Sequence, residues 1–141
     1  MKIKRIGTHD LPLPNRATDG SCGYDLRAAE NVIIPPGQTV CVCTGFAIEL
    51  HERIVALICP RSGMAVKSAV TVINAPGIVD WDYRGEIKVP LINHGNEEFR
   101  ISLGDRIAQL VLAPVYIPQW IEVNDFSETK RGANGFGSTG Q

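Results

Sequence analysis

The sequence contains no apolar run approaching the roughly 20 residues that a membrane-spanning helix requires, so no membrane partner is expected. Its start, MKIKRIGTHD, carries basic residues without an apolar stretch behind them. That pattern is not a secretory leader, and a cytoplasmic protein is expected, with the nucleus or a virus- or phage-infected cell left open. Metal-ligand spacing is also missing. Cys22, Cys41, Cys43 and Cys59 include no C-x-x-C pair, and His9, His51 and His94 lie far apart, which disfavours structural zinc. Cys41 and Cys43, two apart in a strand-like run, share a face and are expected to be reduced, buried small hydrophobes. Nor is there a basic cluster. The 14 Lys and Arg are scattered against 15 Asp and Glu, giving a formal net charge of −1. No nucleic-acid partner is expected, whereas a small anion held by a few placed cations stays open. Finally, no stretch of ten or more residues sustains a 3.6-residue apolar period, although RSGMAVKSA supplies one or two helical turns.

What is there is an all-β pattern. The chain's 141 residues suffice for one domain with a real core, and 44% hydrophobic with 21% charged residues is ordinary for a globular protein. Short runs (NVII, QTVCVCT, RIVALIC, EIKVPLIN, RIAQLVLAPV, WIEV) recur between the turn signals PPG, HGN, LGD and DYRG. Closed barrels and double-sheet jelly rolls are the usual solutions for so many short strands. After about Asp125 the apolar residues cease, and a mobile tail is expected.

Five stretches are more polar or turn-rich than a β-core needs. In GSCGYDLRA, Asp25 and Arg27 share one strand face, which alone reads as a surface ion pair. In CPRSGMA, Ser62 opens a possible helical turn, either as a plain N-cap or, with Arg61 and Gly63, as a donor set for an anion. GIVDWDYRGEI reads as a β-hairpin turning through Asp82–Gly85, with Asp80 at the end of an apolar strand and Tyr83 in the bend. That places a carboxylate beside a ring, suited to a general base next to a stacking platform, or simply a turn Asp and a capping Tyr. Gln109 interrupts the strand RIAQLVL. The tail holds GFGSTG, which matches G-x-G-x-x-G, yet only Gln141 follows. A dinucleotide loop needs a helix at that point, so this reading fails.

In this order and spacing the five stretches GYDLRAA, PRSGMA, NAPGIVDWDYRGEI, RIAQLV and RGANGFGSTG resemble the motifs of the trimeric dUTP diphosphatases, from Gly20 to Gly140. The resemblance implies a jelly-roll-type β-barrel, residues 1–125, assembled as a homotrimer with active sites at subunit interfaces. Residues 126–141 would be a mobile C-terminal arm closing over a neighbour's site. The implied activity is hydrolysis of dUTP to dUMP and pyrophosphate with Mg²⁺.

The same resemblance assigns roles. Asp80 is the expected general base for the attacking water. Asn74 and the backbone of Gly77, Ile78 and Val79 would bind uracil, Lys88 would add a backbone contact, and Tyr83 would pack on the deoxyribose and exclude a ribose 2′-hydroxyl. Arg61, Ser62, Gly63 and Gln109 would hold the phosphates, and Asp25 would reach Mg²⁺ through water. From the arm, Arg131 would contact the γ-phosphate, Phe136 would stack on uracil, and Gly137, Ser138 and Thr139 would donate hydrogen bonds. Departures are small: Cys22 and Met64 replace the family's common alanine and leucine, and Lys67–Ala69 lack a frequent glycine. A dCTP deaminase of the same fold and a non-catalytic nucleotide-binding trimer are the alternatives.

Overall fold

Why the chain folds as sheets is visible in its burial alternation. In a computed structural model, which describes residues 1–135, twelve strands and one short helix form among those residues. In chain order they are β1 (Lys2–Arg5), β2 (Asn15–Arg16), β3 (Tyr24–Arg27), β4 (Val32–Ile34), β5 (Thr39–Cys43), β6 (Phe46–Glu49), β7 (Ile54–Cys59), α1 (Ser62–Ser68), β8 (Val70–Val72), β9 (Gly77–Val79), β10 (Lys88–Asn93), β11 (Phe99–Ile101) and β12 (Arg106–Pro114). The largest sheet runs β2-β3-β12-β7-β9, and β5-β10-β8, β11-β4 and β1-β6 make the others. Every pairing is antiparallel.

Leu26, Ile34, Val42, Val70, Val89, Leu91 and Ile107 are fully buried between the sheets. Burying side chains of this size contributes about 1.5–3 kcal/mol each, which is what holds such short strands together. Asn93 is buried among them because it is satisfied. Its amide donates to Ile34 O at 2.9 Å and Glu97 O at 2.7 Å, and its Oδ1 accepts from the Gly95 N–H at 2.8 Å. The expected turn chemistry holds at PPG, where the Gln38 N–H donates to Pro35 O and Gly37 takes φ +72, as the third position of a type II turn requires.

Three expectations are corrected. Cys41 is exposed and Cys43 only half-buried. In β5 the core is filled by Val40 and Val42, so the thiols take the outer face. WIEV is not a strand: no helix or strand occurs from Val115 to Gly135, Trp120 is 96% exposed, and among the described residues none pairs with it. GIVDWDYRGEI is not a paired hairpin. β9 pairs with β7 while β10 pairs with β5 and β8, so the turn carries the chain from one sheet to another.

Helix α1 starts where Pro60 ends β7. Arg61, not Ser62, occupies its N-cap, without a side-chain cap hydrogen bond, and Met64 plugs it into the core. Ala69 ends it with φ +53, the left-handed conformation that glycine adopts more easily. None of the described helices is long and apolar enough to cross a membrane.

Candidate active site

The passage between sheets builds a pocket. After β9 the chain bends at Asp80, whose carbonyl accepts the Tyr83 N–H at 3.2 Å, and it returns through Ile87 into β10. The open cleft, about 220 Å³, is lined by Ile78, Val79, Asp80, Tyr83, Glu86, Ile87 and Lys88. Val79 and Ile87 are buried and hold the walls, whereas Asp80, Tyr83 and Lys88 are exposed at the rim. Tyr83 folds back along the turn and its hydroxyl donates to Glu86 O at 3.0 Å. Gly85 permits this, since a Cβ there would stand 2.3 Å from the tyrosine oxygen. Arg84 braces the bend by donating to Trp81 O at 2.6 Å and Tyr83 O at 3.0 Å. Asn74 lies outside the lining, exposed before β9, with its amide beside Gly77.

A second group gathers across the large sheet. In register, Asp25 of β3 faces Gln109 of β12, which faces Cys59 of β7, the residue before Pro60. Gln109 donates to Pro60 O at 2.9 Å and so anchors the strand end that leads into Arg61. The Asp25 carboxylate pairs with Arg61 Nε at 3.2 Å and Arg106 Nη1 at 3.1 Å, and its side chain is only 15% exposed. Arg61 also donates to Arg106 O at 3.2 Å. Arg27, expected to pair with Asp25, instead donates to Gly104 O at 2.7 Å. Two guanidiniums around one carboxylate leave a net positive cluster, and Ser62 and Gly63 are exposed next to it at the start of α1. Among the described residues no group of three or more His, Cys, Asp and Glu is placed to hold a metal ion directly. The single carboxylate of Asp25, with lone pairs left beyond its two guanidinium contacts, fits an ion whose inner ligands are substrate oxygens and water.

The two groups stand apart within one chain. Three strand spacings and four residues along β7 separate Asp25 from Asp80, roughly 20 Å by ordinary sheet geometry. Arg131 joins neither: it donates to Asn134 O at 2.9 Å within its own turn. Phe136, Gly137, Ser138 and Thr139 lie outside the described residues. Two contributors were missed from sequence, Arg106 and Glu86. Arg106 opens the stretch RIAQLV and Glu86 follows the turn, but only the tertiary pairing reveals what each holds.

The cysteine chemistry also differs by place. Beside Lys88 in register, the Cys43 thiol is pushed up to about 11, by burial first, then by its hydrogen bond with Glu30 and the negative charge of Glu86 and Glu30. It is a poor nucleophile at neutral pH.

The chain has counterparts among known proteins. The dUTPase family model matches residues 9–140. A deoxyuridine 5'-triphosphate nucleotidohydrolase of Ehrlichia canis (strain Jake) is 49% identical over 144 residues, covering 99% of this chain and 94% of the relative. Another, from Nautilia profundicola, is 50% identical over 141 residues, covering 100% of this chain and 99% of the relative. Among solved structures, the dUTPase of Staphylococcus bacteriophage 80alpha with dUpNHpp superposes with a TM-score of 0.91 at 27% identity, covering 99% of this chain and 98% of the other. A dUTPase of phage phi11, described with a structural Mg(II) ion, superposes with a TM-score of 0.83 over 90% of this chain and 98% of the other; at 22% identity that likeness concerns the fold. With the family pattern spanning nearly its whole length, the chain belongs to the dUTPase family.

Proposed function

We propose that the pocket between β9 and β10 is where this dUTP diphosphatase holds its nucleoside, and that the Asp25–Arg61–Arg106 cluster faces phosphate. The enzyme hydrolyses dUTP to dUMP and pyrophosphate, supplying dUMP for thymidylate synthesis and keeping uracil out of DNA. The observation that carries the site reading is the cavity's lining, in which Ile78, Val79, Asp80, Tyr83 and Lys88 converge.

Uracil enters between the β9 backbone and Ile87, where main-chain N–H and C=O groups of Gly77–Val79, fixed by the sheet, recognise the base edge, with Asn74 closing the near end. Tyr83 packs on the deoxyribose and leaves no room for a 2′-hydroxyl. Asp80 accepts a proton from the water that attacks the α-phosphorus; the new P–O bond forms as the bond to the pyrophosphate oxygen breaks. Arg61, Ser62, Gly63 and Gln109 orient the phosphate chain and stabilise the developing charge. Asp25 would hold Mg²⁺ through water, and the ion would supply neutralisation of phosphate charge.

The separation of the two groups suits a homotrimer whose neighbouring subunits complete each site, and the four antiparallel sheets suit a jelly-roll barrel. Residues 1–125 form the barrel domain and 126–141 an arm. Arg131 lies on that arm, in reach of a neighbour's γ-phosphate, with Phe136, Gly137, Ser138 and Thr139 beyond it as stacking and donor groups.

The test is pyrophosphate release from dUTP, dTTP, dCTP and UTP with Mg²⁺, for the intact chain and Asp80→Asn. Turnover confined to dUTP is expected, with kcat lowered about 10²–10⁴-fold in the variant while nucleotide still binds. Undiminished turnover by Asp80→Asn would remove Asp80 from its role, and ammonia release from dCTP would overturn the pocket's assignment.

A further inference from the structure

Glu86 is an odd residue to find lining a pocket for an anionic nucleotide, because its charge opposes the ligand unless it is used elsewhere. It is used elsewhere. Its Oε1 accepts the Gly45 N–H at 2.8 Å, a charge-assisted bond across 41 residues of sequence. The surrounding backbone is strapped the same way: the Ile87 N–H donates to Phe46 O at 2.8 Å, and the Thr44 hydroxyl donates to Ile87 O at 2.6 Å.

Gly45 is itself held from behind. Its carbonyl accepts the Ile6 N–H at 2.8 Å and is 2.9 Å from His9 Nε2. Because His9 Nδ1 lies 3.0 Å from the Arg5 guanidinium, which only donates, Nε2 carries the proton and donates to Gly45 O. A Cβ on residue 45 would lie 2.0 Å from that Nε2, and the φ of +74 is also one that glycine adopts freely. The anchor point is therefore rigid. On the pocket side, the main-chain carbonyl of the same Glu86 receives the Tyr83 hydroxyl at 3.0 Å.

We propose that Glu86 is a positioning residue for sugar discrimination: its carboxylate fixes its own backbone to Gly45, and its carbonyl thereby fixes the ring of Tyr83. The proposal rests on the reading of Tyr83 as the group that excludes the ribose 2′-hydroxyl. What matters is an acceptor at the reach of a glutamate, not the negative charge. Glu86→Ala removes the acceptor, Glu86→Asp keeps the charge but withdraws it, and Glu86→Gln keeps an acceptor without the charge.

The experiment is kcat/KM for dUTP and for UTP in these three variants and in Tyr83→Ala. Loss of one such bond is expected to lower the dUTP-over-UTP preference about 3- to 10-fold in Glu86→Ala and Glu86→Asp, through KM more than kcat, with Glu86→Gln recovering it. A merely structural role would lower both substrates' kcat/KM together and leave the ratio intact, which would overturn the proposal. So would a Glu86→Gln variant that behaves like Glu86→Ala, since charge and not acceptance would then be at work. If Tyr83→Ala keeps the wild-type preference, the tyrosine's assignment fails and the proposal with it. If Tyr83→Ala loses the preference while Glu86→Ala and Glu86→Asp keep it, only the role of Glu86 falls.

Discussion

The pocket at Gly77–Lys88 and the cluster around Asp25 draw on the same five-stranded sheet, yet they are built by different means. The pocket is shape: buried Val79 and Ile87 behind, backbone groups of β9 at the edge, and a tyrosine folded over a glycine. The cluster is charge, two arginines converging on a carboxylate that is 15% exposed. On the proposed reading the site separates its tasks, with the base and sugar read by fixed geometry and the phosphates held by guanidinium groups that are partly open to solvent.

Breaking the charged half has the largest expected effect. Arg61→Ala removes the proposed phosphate donor and leaves Asp25 with a single partner, so kcat/KM for dUTP is expected to fall about 10²-fold or more in steady-state assays. The ratio of dUTP to UTP turnover should survive, because the pocket is untouched. A milder perturbation sharpens the contrast: raising ionic strength from about 0.05 to 0.5 M should raise KM for dUTP several-fold through screening of exposed charge. The affinity for deoxyuridine, titrated calorimetrically, should barely move.

The smallest expected effect concerns Cys43, which pairs in register with Lys88 behind the pocket. Its thiol is raised from 9.0 to about 11, so folding favours the neutral form. The stability this contributes is complete below pH 9.0 and is lost as the pH climbs through about 11. Alkylation followed by mass spectrometry should label exposed Cys22 and Cys41 at pH 8 well before Cys43.

Much of the pocket half was legible in the sequence because its chemistry is local. Asp80 and Tyr83 sit three residues apart in one turn, and Lys88 follows on the return. The tertiary parts were not legible. Apolar GIV and KVPLI suggest a hairpin, yet each finds a better partner in another strand, β7 or β5, and no local signal distinguishes these pairings. In TVCVC every residue but the first is apolar, so the alternation does not say which face is buried; Val42 in the core decides it. The partnerships of Arg106 with Asp25 and of Glu86 with Gly45 span 81 and 41 residues, beyond any motif's reach. Trp120 and Ile121 read as strand because they are apolar, but none of the described residues covers them.

That the two halves act together only across a subunit boundary is tested most directly by complementation. Asp80→Asn chains and Arg61→Ala chains, each nearly inactive alone, are unfolded, mixed and refolded together. In a mixed trimer the intact Asp80 of one subunit meets the intact Arg61 of its neighbour at one site, so across the refolded population about one site in four should recover wild-type turnover of dUTP. A mixture no more active than its separate components would place both halves of each site in a single chain and contradict the division.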